Sequence, residues 1–516
     1  MKMSGKTFLG IELGSTRIKA QITDGDHNVI ASGGYDWENR FEDGYFTYHL
    51  EDVHEGLRSC FASLSADYER RRGEKLRTVT AMGVSAMMHG YLVFDRDMRL
   101  LTPFRTWRNS RAKEASGYLT GLFGVHIPQR WSVANLYQSM LERQSHVSDI
   151  AYLTTLSGYV HRLLTGRNEV GLCEASGMFP VKDGAFDAEA AEKFDRASSA
   201  LGYKIRILDV LPDVRPAGAK GAYLTEEGAA FLSPDGTFLP GVPVCPPEGD
   251  AGTGMVATGC VRPGTGSVSA GTSVFALLTL KKPLSRVYPQ IDTVKTPDGC
   301  DTALIHCCNG TTELDNWVGI FGEFASLLGQ QIGKTELYSL LYGNTKNADP
   351  DCGGVTFYNF IAPEPIMNVT EARPSVGRPF DGRLTLANLF RAGICSTVAG
   401  LRTGMDILEQ NEGKMTDSLH VHGGLFKIPG AAQQILSDAF RVPVTVRSSA
   451  GEGGAWGMSL LSAYMSEGDG APLPEWLDRD VFASASSSTL YPDEERAAGF
   501  DTFMRNYTAG LRSFRN

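Results

Sequence analysis

Short blocks of apolar residues broken by glycine-rich punctuation open the chain. TFLGIEL and RIKAQITD flank Gly14-Ser15-Thr16, and VIASGG follows the polar GDHN, a pattern that predicts two or three strands joined by tight turns. Glu12 breaks the first apolar run two residues before Gly14. It marks either an edge strand with one solvated face or a hairpin that handles phosphate. LEDVHEGLRSCFASLSADYERRR then changes to helical spacing. TVTAMGVSAMMHGYLVFDRDMRLL reads as strand, loop, strand, with Met87-Met88-His89-Gly90 in the loop. Residues 112–165 read as mostly helical, and SDIAYLTTLSGYVHRLLTG reads as one long segment stopped at Gly166.

The texture changes over residues 236–266, which are dense in Gly and Pro. Such a stretch is either a linker or backbone that passes close to a ligand. GSVSAGTSVFALLTL follows: strand, Gly271-Thr272-Ser273, strand. Its likeness to the opening GIELGSTRIKAQI, half a chain earlier, points to two similar domains that each begin with a hairpin. Downstream, TLANLFRAGICSTVAGLRTGMDILEQNE is strongly helical, and DSLHVHGGLF, GAAQQILSDAF, RVPVTVR and GEGGAWGMSLLSAYM alternate strand and helix. That order predicts α/β architecture.

Length and charge narrow the function class. With 516 residues, and a prior of roughly 150 per domain, the chain holds two to four domains, or two large ones. Hydrophobic residues at 42% and charged residues at 21% fit a soluble globular protein. A net charge of −10 without long runs argues against sequence-independent nucleic-acid binding, which needs clustered Lys and Arg. An anionic cofactor held by backbone N–H groups and a metal ion remains compatible with it. The nine cysteines include no CxxC pair and read as reduced thiols of a cytosolic protein. No run approaches the roughly 18 apolar residues of a membrane helix, and MKMSGKTFLG lacks a long apolar leader segment, so neither membrane insertion nor secretion is expected.

Several residues have a chemical and a plainer reading. Small turn residues at Gly14-Ser15-Thr16 and Gly271-Thr272-Ser273 let N–H groups and hydroxyls reach phosphate oxygens, or are ordinary turns. Asp250, among the glycines of EGDAGTG, is a base for a substrate hydroxyl or an Asx-turn residue. His89 meets a polar substrate or is structural. Trp107 and Arg111 close a pocket or belong to a helix start. Gly423-Gly424 and Gly453-Gly454 let a purine lie on backbone or are plain turns. His420 and His422 share a strand face but lack an evident third metal ligand.

Taken in order over residues 7–465, these pieces resemble the FGGY family of carbohydrate kinases, its xylulokinase-like branch above all. The resemblance implies an α/β fold of two ribonuclease-H-like (actin- or hexokinase-like) domains around a central cleft. It places a sugar-binding domain with the catalytic base at 1–258, an ATP-binding domain at 259–465 and a C-terminal extension at 466–516. It implies a cytoplasmic, ATP- and Mg²⁺-dependent kinase acting on a hydroxyl of a ketopentose such as xylulose. Other ketoses and polyols (ribulose, L-xylulose, fuculose, rhamnulose), a silent nucleotide-binding regulator and a homodimer stay open.

The resemblance assigns Gly14, Ser15, Thr16, Gly271, Thr272 and Ser273 to the phosphates, Gly423 and Gly424 to adenosine, Asp250 to the base role and Glu12 to the metal. Met88, His89, Trp107, Asn109 and Arg111 fall to the sugar. Three positions depart from the family pattern: Glu12 and Asn109 each stand for Asp, and Ala251 for Asn. The first bears on metal geometry, the other two on which hydroxyls are read. The acidic segment 466–496 is expected to be a peripheral helix pair or an interface.

Overall fold

The structure, a computed structural model, describes residues 5–447 and 453–514. The chain forms two compact units that interleave in sequence. One comprises Met1–Val261, Asp292–Thr302 and Glu452–Ser484; the other comprises Arg262–Ile291, Ala303–Gly451 and Ala485–Asn516.

The first unit is built on a mixed sheet. Thr7–Leu13 pairs antiparallel with Arg17–Asp24, which pairs antiparallel with Val29–Asp36. On its other side Thr7–Leu13 pairs parallel with Ala81–Ala86, which pairs parallel with both Pro243–Val244 and Glu248–Gly249. Thr7–Leu13 is central, and its near-continuous apolar run is buried accordingly. The Leu50–Arg72 helix crosses over to the parallel strand and buries Val53, Leu57, Cys60, Phe61, Leu64 and Tyr68 along one face. Acidic Glu51 and Asp52 sit at its start, Arg70, Arg71 and Arg72 at its end, each favoured by the helix dipole, and left-handed Gly73 stops it.

The second unit repeats this order. Thr265–Ala270 pairs antiparallel with Val274–Thr279 and parallel with Ser418–His422, which pairs parallel with Val444–Arg447. Its crossover helix, Leu386–Glu412, is capped by the Thr385 side chain, which accepts from the Asn388 N–H. Hairpin, crossover helix and parallel strands thus recur in both halves, as the paired turns anticipate.

Three expectations are corrected. SDIAYLTTLSGYVHRLLTG is not one helix: Tyr152–Thr154 is a strand paired with Leu92–Phe94, and the helix spans only Leu156–Thr165. A strand with an open edge recruits β-favouring Tyr and Thr before the helix can extend. Residues 236–266 are no linker, because they contain two short strands and the Asp250–Thr258 helix. The segment 466–496 is not peripheral. Trp476 is buried, Ser487–Leu490 pairs antiparallel with Val444–Arg447, and the Glu494–Gly510 helix that follows buries Phe500, Phe503 and Tyr507.

The Gly453–Glu467 helix packs on the first strand of the first unit. A Cβ on Gly10 would lie 2.0 Å from the Ala455 carbonyl oxygen, so only glycine permits the approach. No described helix is long and apolar enough to cross a membrane.

Candidate active site

The carbonyls of the first hairpin turn are all engaged. The Trp37 indole donates to Gly14 O at 2.7 Å, the Tyr48 hydroxyl to Ser15 O at 2.5 Å, and the Trp37 backbone N–H to Thr16 O at 3.1 Å. With its acceptors held against this aromatic wall and the Gly14 N–H donating to Arg17 O at 3.0 Å, the turn has its Ser15 and Thr16 N–H groups left to offer a ligand. The second hairpin reaches the same result by other means. Gly310 N–H donates to Thr272 O and Thr311 N–H to Gly271 O, both at 2.8 Å. A Cβ on Gly310 would lie 2.1 Å from Gly271 O.

Strand register then aligns the acidic residues of the first unit. Glu12 pairs with Lys19 across the hairpin and with Ser85 on the parallel side, and Ser85 pairs with Glu248. In the next row Leu13 pairs with Ala86 and Ala86 with Gly249, after which the chain enters the helix at Asp250. The Glu12 carboxyl accepts from the Ala455 N–H, and a Cβ on Gly454 would lie 2.3 Å from Glu12 Oε1. Gly454 therefore serves Glu12, which corrects its reading as a resting place for a purine. Burial pushes the Glu12 carboxyl above its usual range, against the pull of Lys19 and the Ala455 N–H.

Asp250 is the first residue of its helix, and its Oδ1 accepts from Met88 N–H at 3.1 Å. The residue is open to solvent, yet protein rings its carboxyl and removes much of its hydration. That loss, with the charge of Glu12 added, pushes the carboxyl up to about 6, against the N–H groups of Met88 and Ala251. A carboxylate tuned this way is a competent general base near neutral pH.

The Met88-His89 loop is strained and buried. His89 has φ 69°, a left-handed value unusual for a non-glycine residue. Its Nδ1 lies 3.3 Å from Gly177 O, and a carbonyl only accepts, so Nδ1 carries the proton and Nε2 presents a lone pair. Burial, then Arg130, lowers its pKa to about 3, so the ring is neutral. Trp107 is brought to the first hairpin, where its indole donates to Ser15 Oγ at 3.1 Å.

Two residues expected at the sugar have protein partners. Asn109 is buried, accepts from Phe46 N–H at 2.9 Å and donates to Phe46 O at 2.9 Å and Thr106 O at 3.0 Å. Its amide is thus engaged with backbone through both its oxygen and its nitrogen. The Arg111 guanidinium stacks 4.7 Å from the Tyr45 ring centre and faces Gly44 O. In the second unit Gly423 has φ 102°, and a Cβ there would lie 2.4 Å from Ala270 O, whereas a Cβ on Gly424 would meet nothing within 4 Å. Gly423 is needed by the hairpin end, and Gly424 is the open position.

Model matches decide the family. The FGGY carbohydrate-kinase N-terminal domain matches residues 7–257 and the C-terminal domain residues 266–466. The chain belongs to the FGGY family of carbohydrate kinases. It is 22% identical to a xylulose kinase of Haemophilus influenzae, covering 98% of this chain and 99% of that one. A Klebsiella pneumoniae xylulose kinase is also 22% identical, over 96% of each chain. Among solved structures, a xylulose kinase from Rhodospirillum rubrum superposes with TM-score 0.77 at 18% identity, over 98% of this chain and 99% of that one. A gluconate kinase from Lactobacillus acidophilus gives 0.78 at 16%, over 98% of each. These likenesses fix the actin- or hexokinase-like fold.

The sequence reading missed Trp37, Tyr48 and Gly310, which orient the two turns, and the buried acids Glu174 and Glu248. The signal in the sequence was glycine: Gly249 beside Glu248, and Gly171 and Gly177 three residues to either side of Glu174.

Proposed function

We propose that this FGGY kinase transfers the γ-phosphate of ATP to a hydroxyl of a ketopentose such as xylulose. Asp250 carries the reading: it is a carboxylate raised to about 6 and aimed by the backbone of the Met88-His89 loop. It takes the proton of the attacking hydroxyl, and the His89 lone pair accepts from a second sugar hydroxyl. The donor edges at Gly14-Ser15-Thr16 and Gly271-Thr272-Ser273 hold phosphate oxygens, Trp107 flanks the first, and Gly424 leaves room for the adenosine. The neighbouring charges of Glu12 and Asp250 suit a hydrated Mg²⁺ held through Glu12, which when bound would neutralise phosphate charge. The full-length xylulose kinase relatives support the ketopentose.

The test is ADP release from purified protein with Mg-ATP across ketopentoses, deoxyketohexoses, polyols and a sugar-free control. One ketopentose is expected to stimulate release strongly. Asp250→Asn should lower that rate by about 10³-fold, within the range of general-base removal, and keep ATP binding. A flat panel with ATP still bound overturns the kinase reading in favour of a silent regulator. Full turnover in Asp250→Asn overturns the base role.

A further inference from the structure

Behind Asp250 lie two acids that the proposed chemistry does not use. Glu174 is 0% exposed and Glu248 1%. Glu174 belongs to the short Leu172–Ser176 helix, and its N–H donates to Glu248 Oε2 at 3.1 Å. The two segments interlock through glycines. A Cβ on Gly171 would lie 2.2 Å from Glu248 Oε1, and one on Gly249 would lie 2.5 Å from Glu174 Oε2 and 2.8 Å from Met88 Cγ. The Glu174 carboxyl and the Met88 side chain therefore both close on Gly249, the residue that precedes Asp250, and Met88 is the residue that donates to Asp250.

Neither Glu174 oxygen has a partner of full hydrogen-bond geometry. The Thr155 hydroxyl, and to a smaller degree that of Ser157, favours its charged form, but burial opposes that form more strongly. The charges that bear on it, Glu248 and Asp250, are both acidic. A carboxylate buried on those terms is far costlier than a carboxylic acid. Burial accordingly pushes the Glu174 carboxyl well above its ordinary range, and Glu248, which keeps backbone N–H donors, to about 8.

We propose that Glu174 is a positioning residue for phosphoryl transfer: an uncharged carboxyl wedged behind the Met88–Asp250 hydrogen bond, holding that bond in place and keeping water from its inner side. The inference rests on the reading of Asp250 as the base. An uncharged wedge fills the space without adding a second charge to that of Glu12.

The experiment compares kcat, KM for ATP and the pH profile of kcat/KM for wild type, Glu174→Ala, Glu174→Gln and Asp250→Asn. Glu174→Ala admits water, so kcat should fall by roughly 10²-fold through loss of alignment, with KM for ATP little changed. Its acid limb should move from about 6 toward the ordinary carboxylate range. A merely structural role would leave that limb in place. Glu174→Gln keeps an uncharged group of the same shape, so its limb should stay near 6, with kcat down by less than about tenfold.

The proposal is overturned if Gln shifts the limb as far as Ala does, since Glu174 is then charged. It is equally overturned if Ala leaves both kcat and limb at wild-type values. Should Glu174→Ala not fold, Gly249→Ala replaces it, because the added methyl drives into Glu174 Oε2 and should displace the Met88–Asp250 contact. Failure of the base reading has its own signature: turnover in Asp250→Asn, or no acid limb near 6 in wild type.

Discussion

Glu12 and Asp250 repel each other, and the Asp250 carboxyl is pushed up by burial and by that charge. Asp250 accepts a proton only when ionised, so kcat/KM should fall as pH drops below about 6. Glu12→Gln removes the neighbouring charge and should move this limb to lower pH, read in a pH–rate profile at saturating Mg²⁺. The same shift has an opposite face in stability. A carboxyl raised in the folded state favours folding most when protonated, below its unfolded value, and that advantage is lost as pH rises through about 6. Asp250→Asn should therefore melt above wild type at pH 8 while lacking turnover, in thermal scans run beside the activity assay. Asp250 was legible as an acid among glycines, but its donor was not. Met88 is 162 residues away and offers only a backbone N–H, which no side-chain pattern encodes. The backbone contacts of Asn109 were hidden for the converse reason, because an amide that clamps backbone is spelled like one that reads a sugar.

At the scale of elements, both hairpins have their turn carbonyls engaged, one by aromatic side chains and the other by the start of the Thr312–Leu327 helix. Gly310→Ala should press on Gly271 O and Thr272 O, destabilise the protein by about 1–3 kcal/mol and raise the KM for ATP. Thermal melts and ATP titrations measure the two effects. Sugar binding, measured by sugar protection against melting, should be little changed. Strand alternation and flanking turn residues made both hairpins legible. The Asp250–Thr258 helix was not, since glycines lower helix propensity and only its buried tertiary setting, with Met255 and Val256 inside, makes DAGTGMVAT helical.

For the whole molecule, the recurrence of one sheet order in both units was legible from two turns, whereas the interleaving was not, because no local pattern says which core a late helix will join. The final strand and helix complete the second unit, through the Ser487–Leu490 ladder and the burial of Phe500, Phe503 and Tyr507. A chain ending at Ser484 should expose the Val444–Arg447 edge, and limited proteolysis should cut first within residues 303–447. The seat of Ala455 against Gly10 also bears on biosynthesis. The Thr7–Leu13 strand must wait for the Gly453–Glu467 helix far downstream, and at about 5–20 residues per second the wait is roughly twenty to ninety seconds. During that interval the face of the first strand that the Gly453–Glu467 helix covers stays open.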